Sequence, residues 1–295
     1  MAEIVIVANP TSGRGKGRRL LEQLKAALRA SAFDHEIVVS ENPEHPERAA
    51  REAAEAGVRI LLAVGGDGLV SSCANGLVGT DTALGIIPAG SGNDFAQCVG
   101  LDTKRPLNAL ALLAEPRIRR VDAVRAEGPG WARHFVCVSG CGFDSETNEY
   151  ANTLTHLRGR APYVVAVFRT LIRFQPAEFR LTVDGEEHRR EAMLVAVGNT
   201  QSYGGGMRIC PNAEMDDGLL DVTVVGSVSK PTFVRVFPRV FSGSHIDHPS
   251  VSTHRGAKVE LEALAPFRVY ADGEDFGPLP ATFTALPGTL GVVSP

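Results

Sequence analysis

Residues 60–68 read Ile60-Leu61-Leu62-Ala63-Val64-Gly65-Gly66-Asp67-Gly68. Five apolar residues in a row lack the alternation of a half-exposed strand, so the run reads as a strand buried on both faces at the centre of a parallel sheet. It ends in a glycine-rich loop, and a helical pattern follows to about Val78. Working outward, Ile4 to Ala8, His35 to Val39 and Leu84 to Ile87 are further short strands. Between them lie helical patterns: Leu20, Leu21, Leu24, Ala27 and Leu28 share one face, and an Ala- and Glu-rich stretch runs from Pro46 to Gly57. This alternation is the rhythm of a parallel sheet with helices on both faces. The first 124 residues are therefore expected to form an α/β domain.

After about Val121 the rhythm changes. Phe179 to Val183 and Glu191 to Val197 flank the hairpin-type Asp184-Gly185, and Leu219 to Val225, Lys258 to Leu264 and Phe267 to Ala271 continue the strand pattern. Helical stretches are expected at Ser145 to Leu157, Pro162 to Phe174 and Thr232 to Phe241. Residues 125–295 read as a second, mostly antiparallel β domain, a β-sandwich, with the boundary near residue 124.

The chain's 295 residues suit two domains. Apolar residues at 44% and charged residues at 22% are ordinary for a globular chain. A formal charge of −4 gives no general attraction to nucleic acid, so no nucleic-acid partner is expected. No apolar run approaches the roughly 20 residues that cross a bilayer, and Met1-Ala2-Glu3 leads into a strand without the pattern of a secretory signal. A cytoplasmic location is the expectation. Five cysteines without a CxxC pair read as reduced, mostly buried thiols.

In an open parallel sheet, ligands bind where strand ends lead into helix N-termini. Three loops there are rich in Gly, Ser, Thr or Asn: Asn9-Pro10-Thr11-Ser12-Gly13, Gly65-Gly66-Asp67-Gly68, and Pro88 to Asp94. Glycine lets the backbone approach a phosphate, and free N–H groups at a helix start supply donors and partial positive charge. One such loop could be a plain tight turn, but three on one edge describe a nucleotide site. Asp67 suits a divalent cation or a sugar hydroxyl. Neither the dinucleotide fingerprint nor a Walker loop is present.

The ordered set Asn9 to Gly13, Gly65 to Gly68, Gly90-Ser91-Gly92-Asn93-Asp94-Phe95-Ala96, Asp217-Gly218-Leu219-Leu220-Asp221-Val222 and Asp272-Gly273-Glu274 resembles the diacylglycerol kinase catalytic-domain family, especially its soluble bacterial lipid kinases. Gly198-Asn199, Gly204-Gly205-Gly206 and Pro211 match the run toward that family's metal loop. The resemblance implies an N-terminal domain like those of NAD kinase and phosphofructokinase, and an ATP-dependent kinase acting on a lipid alcohol such as diacylglycerol. It places ATP on Asn9, Pro10, Thr11, Ser12, Gly13, Gly65, Gly66, Asp67, Gly68 and Ser91, with Ser40 meeting the nucleotide through its hydroxyl. It places Mg2+ on Glu214, Asp217 and Leu219, the first and last through backbone carbonyls. Glu274 falls on the proton acceptor, and Asp272 could hold metal or water beside it. Asp67, Asp217 and Glu274 are expected to converge on a shared ion and the incoming alcohol. A membrane lipid substrate and transient contact with a membrane surface follow, peripheral to the inner face, and a homodimer stays open.

The chain departs from the family pattern at Leu69, Ser71 and Ser72, where a hydroxyl and a carboxylate are missing. Two other readings therefore stand beside the first: a nucleotide-binding kinase-fold protein without lipid kinase activity, and a small-molecule kinase related to NAD kinase. Arg14, Lys16, Arg18 and Arg19 open the first helix, where cations oppose the dipole unless an anion is near. Arg158, Arg160, Arg169 and Arg173 flank an apolar segment, an arrangement suited to an anionic membrane, although core helix is the simpler reading. His245, His248 and His254 could ligate a metal, but a structural loop is the better account.

Overall fold

The computed structural model describes residues 3–29, 34–154 and 161–295, so Arg158 and Arg160 lie outside the described residues. The chain divides into two compact units, Met1–Ala123 with Leu286–Pro295, and Val124–Ala285.

In the first unit, strands β1 (Ile4–Ala8), β2 (His35–Val39), β3 (Ile60–Gly65) and β4 (Ala83–Pro88) alternate with helices α1 (Lys16–Arg29), α2 (His45–Glu55), α3 (Asp67–Leu77) and the short α4 (Asp94–Cys98). The strands pair in parallel in the order β2-β1-β3-β4. β1 and β3 are central, and every residue of both is buried, as their unbroken apolar composition requires. Helix α1 turns Leu20, Leu21, Leu24 and Leu28 inward, the stripe that its spacing predicts.

The second unit takes over within β5 (Arg117–Gly128), whose last residues from Val124 pair antiparallel with β6 (Trp131–Phe135). It continues through β7 (Val138–Gly142), α5 (Phe143–Thr153), α6 (Ala161–Arg173), β8 (Ala177–Val183), β9 (Glu186–Gly198), β10 (Leu220–Gly226) and α7 (Lys230–Val236). It closes with β11 (Val251–Gly256), β12 (Lys258–Ala263), β13 (Arg268–Ala271), β14 (Glu274–Pro278) and the start of β15 (Ala281–Ser294).

Strand β9 organises this unit. Its first half pairs with β8 through the Asp184-Gly185 turn, where φ values of 46° and 91° give the left-handed pair that a two-residue hairpin needs. Its second half, Leu194 to Gly198, lies between β7 and β10. One sheet runs from β8 to β12 and β15, and the other from β7 to β13 and β14 on one side and from β10 to β11 on the other. Phe135, Phe179, Val195, Val222, Val259 and Phe283 are buried in the shared core. Each such side chain contributes roughly 1.5–3 kcal/mol by leaving water. The second domain is thus a β-sandwich, as read from sequence.

One boundary differs from the expectation that residues 125–295 belong together. From Leu286 onward β15 counts with the first unit, where Val292 stands level with Leu84 in parallel pairing. The physical reason is the edge of the first sheet. An uncovered β4 would expose a row of backbone donors and acceptors, and the apolar Leu290, Val292 and Val293 are buried in covering it.

Candidate active site

Asn9 follows β1, and its amide donates to the Val64 carbonyl at 3.1 Å. Its Oδ1 accepts from the Thr11 amide at 2.9 Å and the Thr11 hydroxyl at 2.7 Å, an Asx turn. Ser12 then opens a single 3-10 turn that leads into α1. Gly13 has φ 55°, and a Cβ there would sit 2.1 Å from the Ala89 carbonyl oxygen. A Cβ on Gly90 would sit 2.6 Å from Gly66 Cα. Glycine is required at these positions because the three loops nest against one another, fastened by the Ala89 amide donating to the Gly65 carbonyl at 2.7 Å.

The nested loops bring Asn9, Pro10, Thr11, Ser12, Gly13, Gly65, Gly66, Asp67, Gly68 and Ser91 to one edge of the first sheet. Ser40 joins them beside β1, its amide donating to Ala8 at 2.8 Å and its hydroxyl to the Asn42 carbonyl at 3.2 Å. Helix α1 opens with exposed Lys16, Arg18 and Arg19 and no acidic residue in its first turn, which leaves its positive end to an anion.

Asp67 starts α3, and its two oxygens accept the amides of Asn93 at 2.7 Å and Asp94 at 2.6 Å. Asn93 is left-handed at φ 56°, and its side chain holds Gly90 from both sides. Asp67 therefore shapes the loop that carries Ser91, a positioning task. Leu69 packs on Gly65, and Ser71 and Ser72 are buried on α3. Among the described residues two buried carboxylates escaped sequence reasoning: Asp144, and Asp122, which accepts the Gly288 amide at 2.7 Å. A carboxylate inside the apolar run Val121 to Val124 was the available signal.

In the second unit the register aligns two acidic loops. Asp221 stands level with Gly198, Gly198 with Val138, and the Asp272 amide donates to the Val138 carbonyl. Three strand spacings of about 4.8 Å put the loops roughly 14 Å apart at one end of the sheet. Asp272 has a structural task at its loop. Its carboxylate accepts the amides of Val136 at 3.0 Å, Cys137 at 3.0 Å and Val138 at 3.3 Å, so it fixes the turn. That turn presents Glu274, which is paired with Arg133 at 2.6 Å, while the Arg133 guanidinium lies 4.5 Å from the centre of the Phe276 ring.

At the other loop, Asp217 Oδ1 accepts the Leu219 amide at 2.9 Å across the left-handed Gly218. Arg255 pairs with Asp217 and also reaches Asp221 at 3.3 Å. Burial, and then the neighbouring Glu214, push the Asp221 carboxyl up to about 6. Glu214 itself is exposed. One carboxylate with two backbone carbonyls is a hard oxygen donor set of the kind Mg2+ takes, and the crowding felt by Asp221 is what a cation would relieve. Among the described residues no group of three His, Cys, Asp or Glu is gathered to hold a metal. His245 binds the Ile209 carbonyl, His248 accepts the Ser250 amide, and the His254 ring lies tilted against that of His188.

A parallel-sheet unit with nested phosphate-type loops, followed by a β-sandwich carrying acidic turns, defines a kinase of the NAD kinase-like class. Residues 3–126 match the diacylglycerol kinase catalytic domain, and residues 137–294 match the YegS C-terminal NAD kinase beta sandwich-like domain. A diacylglycerol kinase of Mycobacterium tuberculosis is 38% identical over 297 residues, covering all of this chain and 96% of the relative. One from Bacillus subtilis is 28% identical, covering 98% of this chain and 95% of its own length. A Bacillus anthracis protein of known crystal structure, provisionally assigned as a diacylglycerol kinase, superposes with TM-score 0.80 at 26% identity, covering 99% of this chain and 96% of that one. The chain belongs to the diacylglycerol kinase family and is a kinase.

Proposed function

We propose that the protein transfers the γ-phosphoryl group of ATP to the hydroxyl of a lipid alcohol, with diacylglycerol, the substrate in the relatives' names, as the type acceptor. The nesting of the three loops carries this reading, because the glycines let backbone amides close on a phosphate chain where side chains would stand in the way. Phosphoryl transfer asks the protein mainly for positioning and charge neutralisation. Asn9 to Gly13, Ser40, Gly65 to Gly68 and Ser91 hold the nucleotide, with Asp67 keeping the Ser91 loop in shape. Glu274 accepts the proton of the lipid hydroxyl as its oxygen bonds to the γ-phosphorus and ADP departs, and Arg133 orients the carboxylate. Mg2+ would be held by the Asp217 carboxylate and the Glu214 and Leu219 carbonyls, and when bound it neutralises phosphate charge.

The acceptor lies in a membrane, and α6 offers the contact. Val165, Phe168 and Ile172 are 43%, 53% and 69% exposed at helical spacing, with Arg169 and Arg173 beside them. An apolar stripe flanked by cations fits transient attachment to an anionic cytoplasmic surface. The direct test supplies labelled ATP with extracted membrane lipids. Wild type should give a labelled product in the organic phase, and Glu274→Gln should lower the rate by about 10²–10⁴-fold, the usual value of a general base. Label found only in aqueous products would favour the small-molecule kinase, and ATP binding with no transfer would favour the inactive kinase fold.

A further inference from the structure

Strands β10 and β11 pair antiparallel with Asp221 level with Arg255, so these two side chains share one face of the sheet. The chain enters β10 through Asp217-Gly218-Leu219, and the left-handed Gly218, at φ 75°, bends that turn so that Asp217 reaches the same arginine. Arg255 Nη2 pairs with Asp217 Oδ2, and Arg255 Nε lies 3.3 Å from Asp221 Oδ2. One guanidinium thus spans two carboxylates.

Three observations set this bridge apart from an ordinary surface ion pair. First, Arg255 holds the oxygen that a metal would need. Asp217 Oδ1 already accepts the Leu219 amide at 2.9 Å, which leaves Oδ2 as the acceptor for a cation. A guanidinium on that oxygen puts its charge beside the place of a divalent ion, and like charges so close repel. Second, one guanidinium does not satisfy the acid around it. Asp221 is buried, and its Oδ2 receives no hydrogen bond from the protein, because Arg255 Nε lends charge without forming one. Glu214 bears on Asp221 as a third carboxylate. A buried carboxylate oxygen without a donor is uncommon, and it marks a place short of positive charge. Third, the arginine is the mobile partner. Its side chain is 42% exposed, against 21% for Asp217 and 12% for Asp221, so the guanidinium can swing into water while the acids stay in place.

We infer that the Arg255 guanidinium and Mg2+ compete for Asp217 Oδ2, so that this one side chain sets how tightly the loop takes metal. The inference rests on the assignment of Mg2+ to Glu214, Asp217 and Leu219 under the proposed function, and it adds the residue that opposes the ion. Arg255 is a positioning residue. It steadies the Asp217 turn by its charge and withdraws to water as the ion takes its oxygen. The consequence is a weaker, more readily exchanged ion than the carboxylates alone would hold.

The experiment titrates MgCl2 into the full-length protein without nucleotide, by calorimetry, and records thermal melts in EDTA and in saturating MgCl2. Arg255→Gln should bind Mg2+ more tightly than wild type by about 3- to 30-fold, the range for a partly exposed charge-assisted pair. The same variant should melt below wild type in EDTA, where its carboxylates lack a cation, and should gain more from Mg2+. Arg255→Lys keeps the charge and should stay within about 3-fold of wild type. Arg189→Gln removes an equal charge from a residue whose partner is Glu187, and it should leave Mg2+ affinity unchanged. Far-UV circular dichroism checks folding, and Arg255→Met carries the same expectation if Arg255→Gln is disordered. Equal or weaker Mg2+ binding by the neutral Arg255 variants, or an equal gain from Arg189→Gln, overturns the competition while a loss of binding in Asp217→Asn keeps the metal assignment. Absence of Mg2+ binding by wild type, or binding that Asp217→Asn leaves unchanged, faults the metal assignment and the competition with it.

Discussion

Asp272 shows how much one side chain can decide. Its carboxylate gathers three consecutive amides from residues 134 to 136 positions earlier in the chain. Replacement by alanine leaves Val136, Cys137 and Val138, all buried, with unmet donors. Asp272→Ala should cost about 1–3 kcal/mol in urea unfolding, the penalty of unsatisfied buried groups, with little change in Glu274 itself. A loss indistinguishable from zero would show that those amides find other partners. Sequence placed Asp272 at the turn but could not show its task, because the partners lie so far away along the chain. Asp67 repeats the lesson, since its acceptors' donors, Asn93 and Asp94, sit across the sheet edge. His245 supplies a pH-dependent counterpart. Its folded pKa lies below the unfolded value, so the unfolded chain binds more protons as pH falls. The stability this contributes is present above about 6.5 and is lost as acidification proceeds through the folded value. Wild type should therefore lose stability more steeply below pH 6.5 than His245→Gln, as thermal melts across pH 5–8 would show.

Among the elements, legibility followed burial. β1, β3 and β4 were plain because burial on both faces leaves an unbroken apolar run. β6, β7 and β14 were not: Trp131–Phe135 carries two charge-capable side chains, Val138–Gly142 is rich in Gly, and Glu274–Pro278 contains both an acid pair and a proline. Their strand character comes from partners such as β9 and β13, not from local preference. Helix α6 was read chiefly as core, and it does bury Ala166, Val167 and Leu171, yet its other side keeps the exposed Val165, Phe168 and Ile172. Phe168→Ser with Ile172→Ser should lower sedimentation with anionic vesicles several-fold while leaving neutral-vesicle binding weak in both proteins. Equal sedimentation of wild type and variant would remove α6 as the contact.

On the scale of the whole molecule, the order of elements along the chain is not the order in which the units close. The loops that resemble phosphate binders were legible because they follow the most readable strands. The ownership of residues 286–295 was not, since an apolar strand tail gives no sign of which sheet it will join. The described structure binds that tail at several points: Val292 beside Leu84, the Gly79 amide on the Thr289 carbonyl at 2.9 Å, and the Gly288 amide on Asp122. A chain ending at Ala285 should melt at a clearly lower temperature and bind ATP at least tenfold more weakly, measured by calorimetry, even though it retains every loop assigned to the nucleotide.

That returning tail also bears on biogenesis. A ribosome releases residues 1–123 long before the strand that completes their sheet, so the nascent N-terminal unit must wait through the synthesis of an entire second unit with one flank uncovered. A sheet edge that stays open until residues 286–295 have been made is the natural outcome of this chain path.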